Sequence, residues 1–153
     1  MTKAIFLSQL KAIHKQNTWF VSLKSALNGL NERDTKERQF INSIEGIVQH
    51  LIFYNELELK KFKGETIEQR IHNNHTTFRN HEHKSWVTTT VTLDAILQDW
   101  EETITNAAQE KITVWEETLS YLFLHNAYHI GQIVYIRKQA GDWNDKSGVD
   151  YNF

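Results

Sequence analysis

The sequence predicts an all-α protein, a four-helix bundle with a long crossover between its second and third helices. Proline is absent and glycine occurs only six times in 153 residues, a composition that leaves helices uninterrupted. Apolar residues recur at spacings of three, four or seven through most of the chain. No stretch sustains strand-like alternation. The TTTVT run at 88–92 is β-prone, but it is short and leads into a stronger helical pattern.

The first helix is expected over 3–28. Phe6, Leu10, Ile13, Phe20 and Leu27 form its stripe, and Gly29 supplies a C-terminal stop. His14 and Asn17 lie on or beside that stripe, and His14 reads as a boundary histidine with a hydrogen-bond partner. Asp34 followed by Glu37 is a capping pattern that opens a second helix running to Lys63, with Gly64 as its stop. Phe40, Ile44, Ile47, Leu51 and Tyr54 make its apolar arc, and His50 lies between Ile47 and Tyr54, facing inward.

Residues 65–90 are polar and without sustained period, and they contain His72, His75, His81 and His83. A second metal cluster is one reading. No ligand spacing repeats, which favours a crossover loop pinned to the core by Phe78 and Trp86.

A third helix is expected from Thr92 to Ala108, capped by the Thr92 hydroxyl, with Leu93, Ile96, Leu97, Trp100 and Ile104 buried. Thr113 and Glu116 form a capping box for a fourth helix that stops at Gly141. The tail carries Trp143, Tyr151 and Phe153 as docking candidates. One domain over 1–153 fits this length and pattern.

The fourth helix carries the chemistry. His125 and His129 are four apart, one turn from each other on a face extended by Leu122, Gln132, Ile133 and Ile136. Two neutral imidazoles so placed are a natural pair of metal ligands. With His50 on the second helix they make three nitrogen donors, enough to hold zinc and leave a fourth position open for chemistry. Such an ion lowers the pKa of bound water, and of a bound thiol still more readily. Tyr54, one turn beyond His50, and Gln132 are candidates for catalytic or ligand-orienting roles. Core packing is the plainer reading of Tyr54, and Glu56 and Glu58 read as solvated.

The composition narrows the partners. Net charge is −2 with the signs interspersed, so no basic stripe invites nucleic acid. No apolar run is long enough to cross a membrane, and the N-terminus lacks a signal-peptide pattern. Cysteine is absent, which suits a reducing cytoplasm and means that any thiolate must come from a cosubstrate.

The run Leu124-His-Asn-Ala-Tyr-His-Ile-Gly-Gln132 resembles the last core helix of the DinB/YfiT-like superfamily, which carries His-x-x-x-His-x-Gly-Gln. His50 in VQHLIFYNE falls where that superfamily places its third histidine, and His75-Thr-Thr-Phe78 looks like the segment before its third helix. The resemblance covers the chain and implies one divalent ion, zinc foremost, with nickel, manganese or iron as alternatives. It implies a homodimer. It also implies, for some members, transfer of a low-molecular-weight thiol such as bacillithiol or mycothiol to a small electrophile. Direct hydrolysis is the competing chemistry, and a non-catalytic stress-related metal-binding or interaction protein is the alternative to an enzyme. Tyr128 and Ile130 depart from the commoner pattern of histidine and arginine, which weakens the inference to a substrate but not to the metal.

Overall fold

The computed structural model of the chain describes residues 2–36, 42–68 and 73–149. These residues are all-helical and contain no strand: α1 (Thr2–His14), α2 (Leu23–Leu27), α3 (Glu32–Lys36), α4 (Ile44–Phe62), α5 (Trp86–Asn106) and α6 (Gln109–Gln139), with 3-10 turns at Asn74–Phe78 and Asp145–Ser147. They divide into two compact units. One is the chain up to Gly29 together with the stretch from Glu101 onward, and the other is Leu30–Trp100.

In the first unit α1 packs along α6. Phe6, Leu10 and Ile13 of α1 are buried, as are Leu119, Phe123, Ile130 and Ile133 of α6. Phe6 meets Phe123 edge to face at 6.0 Å.

The expected helix 3–28 is broken after His14. Asn17 Oδ1 accepts hydrogen bonds from Ser22 N, Ser22 Oγ and Ser25 Oγ, and Ser22 Oγ in turn accepts from Ser25 N. A short polar side chain here offers the backbone partners that a continuing helix would have supplied. Ser22 then caps the separate α2. Arg137 of α6 secures the far end of α2. Its guanidinium donates to Ala26 O at 2.7 Å and Asn28 O at 2.8 Å, and to Asp142 O. The same guanidinium lies over the Trp143 ring, 5.4 Å from its centroid, and so holds the start of the tail. Tyr151 and Phe153 lie outside the described residues.

In the second unit α4 buries Ile44, Ile47, Val48, Leu51 and Phe62, and α5 contributes Trp86, Leu93, Leu97 and Trp100. Trp100 Nε1 donates to Asn55 O at 3.0 Å, and its ring meets Phe62 edge to face. Trp86 Nε1 donates to Leu30 O, so this residue pins its segment as the sequence suggested.

The helix starts differ from expectation. Asp34 lies inside α3, with its N–H donated to Asn31 Oδ1, and Glu37 and Phe40 fall outside the described residues. α4 starts at Ile44 behind the cap Ser43, whose Oγ accepts from Gly46 N at 3.1 Å. α5 starts at Trp86 rather than Thr92, with Ser85 Oγ accepting from Thr88 N. Thr92 instead donates to Thr88 O within the helix. α6 starts at Gln109 rather than Thr113, and the Thr113 hydroxyl donates to Gln109 O. Gly29, Gly64 and Gly141 follow α2, α4 and α6 with φ of 77°, 84° and 71°, so the glycine stops stand where the sequence put them.

One glycine positions the site. The 3-10 turn Asn74–Phe78 lies against α4 so closely that a Cβ on Gly46 would sit 3.0 Å from Phe78 O. That approach brings Thr77 and Phe78 to His50, one turn further along α4.

Candidate metal centre

His50 is buried on α4, and its ring stacks on Phe78 with centroids 4.0 Å apart and planes 10° from parallel. Its Nδ1 lies 2.6 Å from Thr77 Oγ1. The Thr77 hydroxyl gives its one proton to Asn74 O at 2.7 Å. Thr77 therefore accepts from His50, which fixes the His50 proton on Nδ1 and leaves Nε2 as the lone-pair nitrogen.

The same device recurs on α6. His129 Nδ1 lies 2.7 Å from Gln132 Oε1, a carbonyl oxygen that can only accept. His129 thus also carries its proton on Nδ1 and turns its Nε2 toward His125, whose own Nε2 is 3.1 Å away. Burial, reinforced by the neighbouring His129 imidazole, pushes His125 down to about 4. Burial lowers His129 as well, against the opposing effect of its bond to Gln132. Both rings are neutral near pH 7, the state in which an imidazole binds a metal.

His50, His125 and His129 are a group that could hold a metal ion: each offers one ring nitrogen, and these nitrogens lie within 4.8 Å of one another. Tetrahedral zinc with bonds of about 2.0–2.1 Å sets its nitrogens about 3.3 Å apart, inside that limit. Nδ1–H donation to Thr77 and Gln132 is the support that metal-binding histidines commonly have, and the donor set fits a divalent ion.

A model of the DinB family matches residues 24–151. The chain belongs to the DinB family. No curated protein and no solved structure matches it. The family match spans all three histidines of the group, and the run that carried the resemblance, 124–132, lies within it.

The remaining histidines of this DinB-family chain play other parts. Among the described residues no metal-competent group includes His75, His81 or His83, and His72 lies outside them. His75 is exposed, His81 Nε2 is bonded to Thr76 O at 2.8 Å, and His83 holds a positive φ of 51°. His14 is buried at the last turn of α1. Tyr54 is half-buried, its ring edge-on to His50 and its hydroxyl donated to Asn74 Oδ1 at 2.7 Å. Glu56 and Glu58 pair with Lys60 and Lys61 at the surface.

Sequence reasoning gave no role to Asn74, and it noted Thr77 only within the run His75-Thr-Thr-Phe78. Thr77 holds His50, and Asn74 receives the protons of both Thr77 and Tyr54. The available signal was an Asn and a Thr three residues apart within a polar stretch, a spacing that suits a single 3-10 turn.

Among the described residues no helix is long and apolar enough to cross a membrane.

Proposed function

We propose that this protein is a metal-dependent enzyme that transfers a low-molecular-weight thiol to a small electrophile. In this reading His50, His125 and His129 hold one divalent ion, zinc foremost, within a single cytoplasmic domain. Its fold is a four-helix bundle with a long crossover before α5. The observation that carries the reading is the shared protonation pattern. Thr77 and Gln132 each engage the Nδ1 of a histidine, and each leaves an unprotonated Nε2 to a ligand.

A divalent ion held by three neutral imidazoles supplies Lewis acidity with no protein charge to compensate it, which favours an anionic ligand such as a thiolate. The chain has no cysteine, so the sulfur comes from the cosubstrate. The thiol gives up its proton to water, a bond forms between sulfur and the electrophilic carbon as the bond from that carbon to the leaving group breaks, and the leaving group departs with its electron pair and takes up a proton. Thr77 and Gln132 hold the imidazoles in place throughout. Phe78, stacked on His50, shields one face of that ring from water. Tyr54 stands beside His50 with its proton directed to Asn74, suited to orienting that turn and, on exchange of partners, to donating to a leaving group.

The test incubates metal-loaded protein with a generic electrophile, with and without bacillithiol. Thiol-dependent conjugation that disappears in His129→Ala is the expected result. Product formed without thiol would assign hydrolysis instead. Turnover of neither kind, with metal retained, would assign a non-catalytic metal-binding role.

A further inference from the structure

A cavity of about 380 Å³ lies along α6, away from the metal centre. Small-molecule sites span about 300–1,000 Å³ and are lined mostly by apolar side chains with a few polar groups, and this cavity fits both criteria. All of its lining belongs to the unit that holds α1, α2 and α6. Ala127, Gly131, Val134 and Lys138 form the floor, spaced four, three and four apart on one face of the helix. At about 100° per residue, that face is roughly opposite the one that carries His125 and His129. The floor is shallowest in side chain at Gly131, where an added Cβ would meet nothing within 4 Å. One wall is residues 19–21, between α1 and α2, and the other is the tail, through Trp143 and Val149. Both walls are held. Asn17, whose carbonyl gathers Ser22 and Ser25, extends its amide to Gly148 O at 3.5 Å. The Arg137 guanidinium fixes Trp143 from one side. Trp19 stands at the edge, 73 % exposed.

We propose that this cavity binds a free aromatic α-amino acid, its ring beside Trp19 and Trp143 over Gly131, its carboxylate toward Lys138 and its ammonium toward Asp145. The two charges of the lining select this occupant. Lys138 and Asp145 are both exposed, and neither forms an ion pair with a described residue. Opposite charges at one rim complement a zwitterion, whereas a ligand with a single charge is repelled by one of the two. The indoles supply flat apolar surface on which a ring packs edge-on or offset. Walls that are already held spare the ligand the cost of ordering them. A phosphorylated ligand fits less well: Lys138 is the one cation among the described lining residues, and Asp145 opposes the phosphate.

Calorimetric titration of the full chain with L-phenylalanine tests the site, and tryptophan fluorescence gives a second reading because Trp19 and Trp143 line the cavity. L-Phenylalanine should bind once per chain with a Kd at or below about 1 mM. Hydrocinnamate, which lacks the ammonium, and phenethylamine, which lacks the carboxylate, should each bind at least ~5-fold more weakly, the scale of a solvent-exposed ion pair. Lys138→Met should weaken L-phenylalanine and strengthen phenethylamine. Asp145→Asn should weaken L-phenylalanine and strengthen hydrocinnamate. Both positions are on the surface, so the folded state survives either change. Gly131→Leu should abolish binding, because its side chain enters the space over the helix, and leucine's better helix propensity keeps α6 intact. The absence of any heat or fluorescence change up to about 10 mM L-phenylalanine would overturn the proposal. So would binding indifferent to both charge variants. Hydrocinnamate bound as tightly as L-phenylalanine would assign the cavity to a ring with a carboxylate alone, and would overturn it too. The lining shares no side chain with His50, His125 and His129, so these outcomes are independent of what those histidines hold.

Discussion

The Thr77 hydroxyl accepts the Nδ1 proton of His50 at 2.6 Å and passes its own proton to Asn74 O at 2.7 Å. A relay of this kind orients a ring and fixes its tautomer together. Thr77→Val keeps the shape of the side chain and deletes the acceptor. The His50 Nδ1–H is then buried without its Thr77 bond, and the tautomer that turns Nε2 outward is no longer enforced. Zinc affinity should fall about 10- to 100-fold, the usual cost of losing such a partner. Thr77→Ser, which keeps the hydroxyl, should stay close to wild type. Competition titration with a chromophoric chelator measures both, and equal affinity in Thr77→Val and wild type would refute the relay.

The lowered His125 and His129 set a pH dependence. The folded-state pKa of His125 is about 4, against 6.5 for a free histidine, and burial is the principal cause. Between those values the unfolded chain binds more protons than the folded one, so stability rises with pH across that window and is lost as pH falls through it. Metal-free protein should therefore melt at progressively lower temperature from pH 6.5 toward pH 4. His125→Asn should flatten part of that slope, as it removes the group that titrates differently in the two states. Bound metal should be released over the same range, since protons compete for the same nitrogens. A melting temperature that stays level from pH 6.5 to pH 4 would refute the linkage.

Arg137 links distant parts of the chain. Its guanidinium serves the carbonyls of Ala26 and Asn28 at the end of α2 and reaches Asp142 at the start of the tail. Arg137→Met keeps the apolar stem and removes every donor. Charge-assisted hydrogen bonds contribute about 1.5–3 kcal/mol each, and partial rehydration of the carbonyls recovers some of the loss, so about 3 kcal/mol of destabilisation is expected. Arg137→Lys should recover only part of it, because an ammonium cannot reproduce the planar fork. Urea denaturation followed by circular dichroism gives both values, and a loss below about 1 kcal/mol in Arg137→Met would contradict the assignment.

The all-helical fold was legible because its signals are long and redundant. A stripe such as Phe6, Leu10 and Ile13 names both a helix and its buried face, and all three are buried. The pairing of His125 with His129 was legible because four residues make one turn, whatever surrounds them. The helix starts were not legible, and the threonines explain why. The Thr113 and Thr92 hydroxyls, read as caps, bond back to carbonyls of the preceding turn, Gln109 O and Thr88 O. From the residue type alone, that use cannot be told from capping. The true start of α6 lies behind Ala108, which makes no side-chain cap bond, so no cap residue marks it. Asn17 broke the first helix through bonds to Ser22 and Ser25 that periodicity does not register. Thr77 was hidden for a related reason: its role depends on where a turn folds back onto α4, and no local spacing encodes that.

That fold-back gives the last prediction. Gly46 faces Phe78 O, and an added Cβ would stand 3.0 Å from that backbone oxygen. Gly46 stands in the first turn of α4, where alanine keeps the better helix propensity, though by less than the about 0.8–1.0 kcal/mol of a helix interior. Here the contact opposes the propensity. The carbonyl belongs to the turn that carries Thr77, so relief of the clash must move that turn away from α4 by a few tenths of an ångström. The 2.6 Å bond between Thr77 and His50 lies directly in the path of that movement. Gly46→Ala should therefore fail to stabilise the protein despite its better propensity. It should also weaken zinc binding, although residue 46 is one turn removed from His50. Measuring unfolding free energy and zinc affinity on the same variant separates the two effects. A gain in stability with unchanged affinity would mean that the turn tolerates the methyl group and that the close approach at Gly46 does not set the position of His50.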